Sequence, residues 1–169
     1  MAQNSEWEST LLSNFAEGTR YLAFSLGEEE YAIPLLVVKE VIAVPEMTPI
    51  PHTPPHFLGI MNLRGQVISV IDLRRKFNIK NSSSDDTAII ICDLSPLTLG
   101  VMVDTVNSVL TPEKNELSPK PEMESYIGTE YIDAVYRKEN SLILLLDIAK
   151  ALDSKDKAAI EKSKTNNAA

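Results

Sequence analysis

Residues 59 to 74 read GIMNLRGQVISVIDLR, and this stretch decides how the chain folds. Ile60, Met61, Leu63, Val67, Ile68, Val70 and Ile71 occupy both alternating faces of the run, the pattern of strands covered on two sides. The NLRG tetrapeptide, Asn62 to Gly65, supplies the turn between them. Arg64 is the intruder, because a guanidinium keeps its charge and is costly to hide. A permanent charge in a run built for burial needs a purpose other than the core.

Working outward, the chain echoes itself. VISVIDLRRKF (67 to 77) is matched by LILLLDIAKAL (142 to 152): an apolar strand, then Asp72 or Asp147 placed to cap a short helical turn. AIPLLVVKEVI (32 to 42) is matched by GVMVDTVNSVL (100 to 110), so that Val38 and Val41 correspond to Val106 and Val109. Two similar strand-rich units explain both echoes, the first over about residues 19–80 and the second over about 87–153. A charge needed to build the unit would recur. Glu40 instead stands opposite Ser108, and Arg64 falls near Glu139 in the turn RKENS, so the pair belongs to something only the first unit does.

The remaining segments are framed by their breakers. YLAFSLGEEEYAIPLL, from Tyr21, reads as a β-hairpin around Gly27 with the acidic triplet Glu28–Glu30 at its turn, where charge discourages edge pairing. The triplet lacks the spacing of a calcium loop. Prolines 45, 49, 51, 54 and 55 exclude a long regular element and leave turns, short strands and one candidate helical turn at PHFLGIM. KNSSSDD (80 to 86) reads as a solvated connection between the units. Residues 1–18 read as a flexible segment, although Trp7, Leu11 and Phe15 recur at helical spacing; residues 154–169 read as a flexible or helical tail with little to bury.

Composition narrows the function classes. Sixteen basic against 24 acidic residues give a net charge of -8 and a pI near 4.8, a field that repels phosphate backbones and anionic membranes, so no nucleic-acid partner is expected. No apolar run approaches the length of a membrane span and the N-terminus carries no secretion pattern, which makes a cytoplasmic location without membrane insertion the expectation. The single cysteine, Cys92 in AIIICDL, reads as a core thiol. There is no G-x-S-x-G, no glycine-rich phosphate loop and no H-E-x-x-H. His52 and His56 are four apart, but Pro54 and Pro55 lie between them and no nearby Cys or carboxylate completes a ligand set. No catalytic residue, metal or cofactor is expected.

With these residues in view, YLAFSLGEEEYAIPLLVVKEV, GIMNLRGQVISVIDLRRKF, GVMVDTVNSVL and LILLLDIAKAL together resemble the CheW family, the coupling proteins of bacterial chemotaxis, in the family's order over roughly residues 19–153. The resemblance implies a mainly β fold of two intertwined five-stranded SH3-like β-barrels with a few short helices. It implies a non-catalytic adaptor whose partners are the cytoplasmic tip of a chemoreceptor and the regulatory domain of the CheA histidine kinase, working at membrane-associated receptor arrays. Carried over by position, the receptor-binding residues are Val38, Glu40, Arg64, Gly100, Val106 and Val109, and a kinase-facing edge includes Met47, Ile50 and Gly59. In physical terms the valines offer desolvated contact or belong to the core, the glycine lets a helix approach, and Arg64, held by Glu40, fixes register through charged hydrogen bonds. Two other readings stay open: an adaptor of a different chemosensory pathway, and a small-ligand-binding β-barrel.

Overall fold

The computed structural model describes residues 18–80, 85–118 and 129–166; the segment carrying Trp7, Leu11 and Phe15 and the middle of KNSSSDD lie outside them. In chain order the strands are β1 (Tyr21–Leu26), β2 (Glu29–Pro34), β3 (Val38–Ala43), β4 (Phe57–Leu63), β5 (Gln66–Asp72), β6 (Ala88–Asp93), β7 (Thr98–Val103), β8 (Thr105–Leu110), β9 (Leu117–Ser118), β10 (Ile132–Lys138) and β11 (Ser141–Leu146). The helices are α1 (Leu73–Lys76), α2 (Ile148–Ala151) and α3 (Ser154–Asn166), and a 3-10 turn, Leu35–Val37, joins β2 to β3.

These strands form two sheets, one in the order β8-β1-β2-β11-β10-β9 and the other in the order β3-β6-β7-β5-β4. All pairs are antiparallel except β2 with β11 and β5 with β7. The expected five strands per unit hold for one sheet; the other gains a sixth from the two-residue β9 at its edge. A division into residues 19–80 and 87–153 does not follow the sheets. The β1–β2 hairpin belongs with β8 and β11, and the β6–β7 hairpin inserts between β3 and β5. The reason is a pair of crossovers, after β2 and after β7, each carrying the chain into the other sheet.

The internal echo is real in three dimensions. Tyr21 pairs with Pro34 as Ile89 pairs with Met102. The register of β3 on β6 slips between Val38 and Glu40, and that of β8 on β1 slips between Val106 and Ser108, so Lys39 and Asn107 are equivalent bulges. Asp72 accepts from the Arg74 amide at 2.9 Å and Asp147 from the Lys150 amide at 3.2 Å, the two expected caps. The candidate helical turn at PHFLGIM is instead the start of β4, whose Phe57, Gly59 and Met61 face inward at period two.

Three apolar clusters explain why the strands are hydrophobic on both parities. Leu22, Phe24, Leu26, Tyr31 and Ile33 of β1–β2 meet Ile90, Cys92, Leu99, Val101 and Val103 of β6–β7 in a core shared by the sheets. The opposite parity of the same hairpins fills each sheet's own interior: Ala23 and Ala32 with Tyr136, Ile143 and Leu145 on one side, Ile89, Ile91 and Met102 with Met61, Ile68 and Val70 on the other. Asp104, buried at the crossover after β7, ties the sheets together: its Oδ2 accepts from the Gly27 amide at 2.6 Å and its Oδ1 from Arg74 at 2.8 Å. Arg74 also forks onto Asp72, with Nε and Nη2 each at 3.0 Å. The hydrogen bond to Asp72, opposed by burial and aided by Asp104, holds its guanidinium above the usual range.

The tail does more than the sequence suggests. Residues 154–166 are helical, and Ile160, fully buried, enters the shared core. Asp156 is buried as well, accepting from Lys76 Nζ at 2.6 Å and paired with His56.

Candidate functional site

The turn at NLRG is built for Arg64. Leu63 pairs with Gln66, leaving Arg64 and Gly65 as a two-residue loop in which both have positive φ, 52° and 86°. The Asn62 side chain accepts from the Gly65 amide at 2.9 Å and locks it. Equivalent by hairpin is Glu139, also first in its turn and also left-handed at φ 54°. The turns match while the charges oppose.

From this loop the Arg64 fork meets Glu40 end-on, Nη1 to Oε1 at 2.9 Å and Nη2 to Oε2 at 3.0 Å. The approach expected from the sequence is therefore what the structure holds, in bidentate form. Its position adds meaning. Glu40 lies on β3, one edge of the five-stranded sheet, and Arg64 joins β5 to β4, the other edge, so the pair spans the gap between the two edges. An open cavity of about 300 Å³ beneath it is lined from all five strands: Lys39 and Glu40 (β3), Leu63 (β4), Gln66 and Ile68 (β5), Ile91 (β6) and Thr98 (β7). This is the mouth of the curled sheet, apolar at its floor and charged at its rim. The Arg64 side chain is 76% exposed and that of Glu40 27%, so the guanidinium keeps an outward face.

The other expected positions divide. Val38 and Val106, at equivalent places on the crossover strands β3 and β8, are half-buried against the shared core. Val109 is half exposed on β8, and its counterpart Val41 is similarly open on β3. Gly100 is buried, and a Cβ there would stand 2.7 Å from Ile89 Cγ2, so the glycine makes room for packing inside the barrel. On the other edge, a bridge between Thr48 and Ile60 sets the Met47–Ile50 stretch beside β4. Met47 and Ile50 are half-buried; Gly59 is buried at φ 142°, and because a Cβ would stand 2.3 Å from the Thr48 carbonyl oxygen the position needs glycine.

Two features escaped the sequence. Leu36, in the 3-10 turn of the first crossover, is 95% exposed and borders an open groove of about 470 Å³ with Thr19, Arg20 and Leu35. Its run, YAIPLLVV, reads as uninterrupted strand; Pro34 is the one hint of a break. The Asp72–Arg74–Asp104 cluster also went unseen, because its members lie on separate elements. Elsewhere Cys92 is buried, its thiol pushed up to about 12 by burial alone. Among the described residues no group of three or more His, Cys, Asp or Glu is placed to hold a metal, and no helix is long and apolar enough to cross a membrane.

The CheW-like domain family matches residues 20–156. Chemotaxis protein CheW of Klebsiella aerogenes is 34% identical over 145 residues, covering 85% of this chain and 87% of that protein. The protein of the same name from Bacillus subtilis is 32% identical over 137 residues, 80% and 88% of the two chains. In three dimensions the scaffolding protein TtCheW of Thermoanaerobacter tengcongensis superposes with a TM-score of 0.74 at 30% identity, over 82% of this chain and 95% of that one. The two swapped sheets are thus a pair of SH3-like barrels, and the chain belongs to the CheW family.

Proposed function

We propose that this chain is a non-catalytic chemotaxis adaptor, located in the cytoplasm at receptor arrays, that couples chemoreceptor tips to the CheA histidine kinase. Membership of the CheW family supports the adaptor role. The observation that carries the receptor contact is the Glu40–Arg64 pair, a pre-formed fork at the mouth of one barrel that the other barrel replaces with Ser108 and Glu139. A guanidinium already held on two oxygens loses less freedom on meeting a partner than one that must first be ordered. Val38, Val106 and Val109 add apolar contact on the two crossover strands, with Val109 the most open of the three. Gly100 takes part only by setting the barrel's shape.

The kinase-facing edge is assigned to Met47 and Ile50, which the Thr48–Ile60 bridge holds against the first barrel, with Gly59 permitting that close approach. The polar rim of Lys39, Glu40, Arg64, Gln66 and Thr98 suits a macromolecular contact better than an enclosed small ligand. The test is co-sedimentation of the purified chain with receptor-containing membranes, with and without the kinase. Retention by receptor alone, raised when kinase is added, is the expected result. A chain that stays in the supernatant in both cases overturns the assignment.

A further inference from the structure

Residues 49–56 read PIPHTPPH, and four of these eight are prolines. A proline has no amide to donate, so such a segment can offer little of the hydrogen-bonded ladder that fixes ordinary backbone; within it Thr53 Oγ1 donates to the Ile50 carbonyl at 2.9 Å, and further tethers come from outside. At its start the tether is the Thr48–Ile60 bridge, with both hydrogen bonds made, at 2.8 and 2.9 Å. At its end the tethers gather on His56: its carbonyl accepts from the Asp72 amide at 2.8 Å, Arg75 reaches the neighbouring Pro55 carbonyl at 3.3 Å, and its ring pairs with Asp156 of α3.

Asp156 is unusually committed for a residue of a C-terminal helix. Its carboxylate is 1% exposed and accepts from Lys76 Nζ and from the Asp153 amide, while its own amide donates to Asp153 Oδ1 at 2.9 Å. Ile160, one turn on, is fully buried in the shared core. The helix is therefore held rigidly at the point where it touches His56.

We propose that α3 is a brace for the proline-rich edge, with Asp156 the positioning residue that fixes His56, and that the brace sets the shape of the surface carrying Met47 and Ile50. The last clause rests on the kinase-facing reading given above; the brace itself does not. Two measurements on the full chain separate them. The first is the backbone amide heteronuclear NOE at Ile50, His52, Thr53 and His56, the positions between residues 49 and 56 that have an amide. The second is affinity for the kinase regulatory domain, with receptor co-sedimentation as control. In His56→Ala the NOE should fall at these amides while those of β5 and β7 keep their values, and kinase affinity should drop about three- to tenfold, the loss of one hydrogen-bonded tether. His56→Gln, which restores an N–H donor, should recover both. Asp156→Asn should loosen the same amides. Unchanged values in both His56→Ala and Asp156→Asn overturn the brace, and so does a loss spread evenly through both sheets. A local fall in NOE with kinase affinity intact leaves the brace standing and removes Met47 and Ile50 from the kinase interface.

Discussion

Glu40 and Arg64 were legible because they broke a pattern. In a run patterned for burial a lone arginine stands out, and the second unit, with Ser108 and Glu139 in the equivalent places, acts as an internal control. An exposed pair of this kind adds only about 0.2 to 1 kcal/mol to folding, too little to explain it as a stabilising feature, which is why we propose a recognition role for it. Glu40→Ala and Arg64→Ala should each weaken receptor binding about tenfold, a cost of roughly 1.4 kcal/mol, with melting temperature nearly unchanged. The double variant should lose less than the two effects added, because either change already breaks the shared fork. Additive losses in a double-mutant cycle on receptor affinity would show two independent contacts. Gly100 was legible as special, but a glycine in a strand signals close approach without saying from which face. Here Ile89 and Ile91 approach from inside. Gly100→Ala should accordingly cost about 1 to 3 kcal/mol of stability through overpacking while the folded fraction binds receptor normally. Chemical denaturation paired with co-sedimentation reads both.

At the level of elements, strands and caps could be read from the chain, and α3's docking could not. SKDKAAIEK contains one large apolar residue, Ile160, too few to mark a buried face. The rest of the anchor is ionic, joining residues that lie 80 and 100 positions apart. Two of its groups have a pH response whose direction is clear. Asp153 is held below its ordinary 3.8, chiefly because its carboxylate accepts from the Asp156 amide, with the Lys76 ammonium assisting against burial. Lys76 is lowered by burial but carried above its ordinary 10.5 by the Asp156 and Asp153 carboxylates. A depressed carboxyl contributes above its unfolded value and loses that contribution as pH falls through the folded one; a raised amine contributes below its unfolded value and loses it as pH rises through the folded one. Docking of α3 should therefore lose the Asp153 contribution as pH falls through that group's folded value and the Lys76 contribution as pH rises through the folded value of the amine. The Ile160 methyl shift, followed by NMR, measures this directly, and a transition centred near neutrality would mean that another group controls the helix.

For the whole molecule, the residues by themselves showed two related units, while their intertwining followed only from the family resemblance. Each strand's character is local, whereas its partner depends on which way a three-residue or one-residue connection turns, and Leu35–Val37 and Asp104 carry no spacing signal for that. Separate expression of residues 1–84 and 85–169 gives the sharpest check. The first fragment lacks β6 and β7 from the middle of one sheet, the second lacks β1 and β2 from the middle of the other. Neither should show a cooperative thermal transition, and mixing the two should restore one; a sharp transition in either alone would mean that a half builds its own core.

The two crossovers also govern how the molecule behaves under load. Domains joined by one linker swing about it by default. Here two covalent paths run side by side between the barrels, with the Asp104 carboxylate clamping one of them to both Gly27 and Arg74. Two connections leave at most a hinge about the line through them, and the apolar core shared by the sheets resists that motion too, so a torque on one barrel is passed to the other. In the adaptor role proposed above, such a body would work as a strut, fixing the angle at which its partners meet as well as their separation.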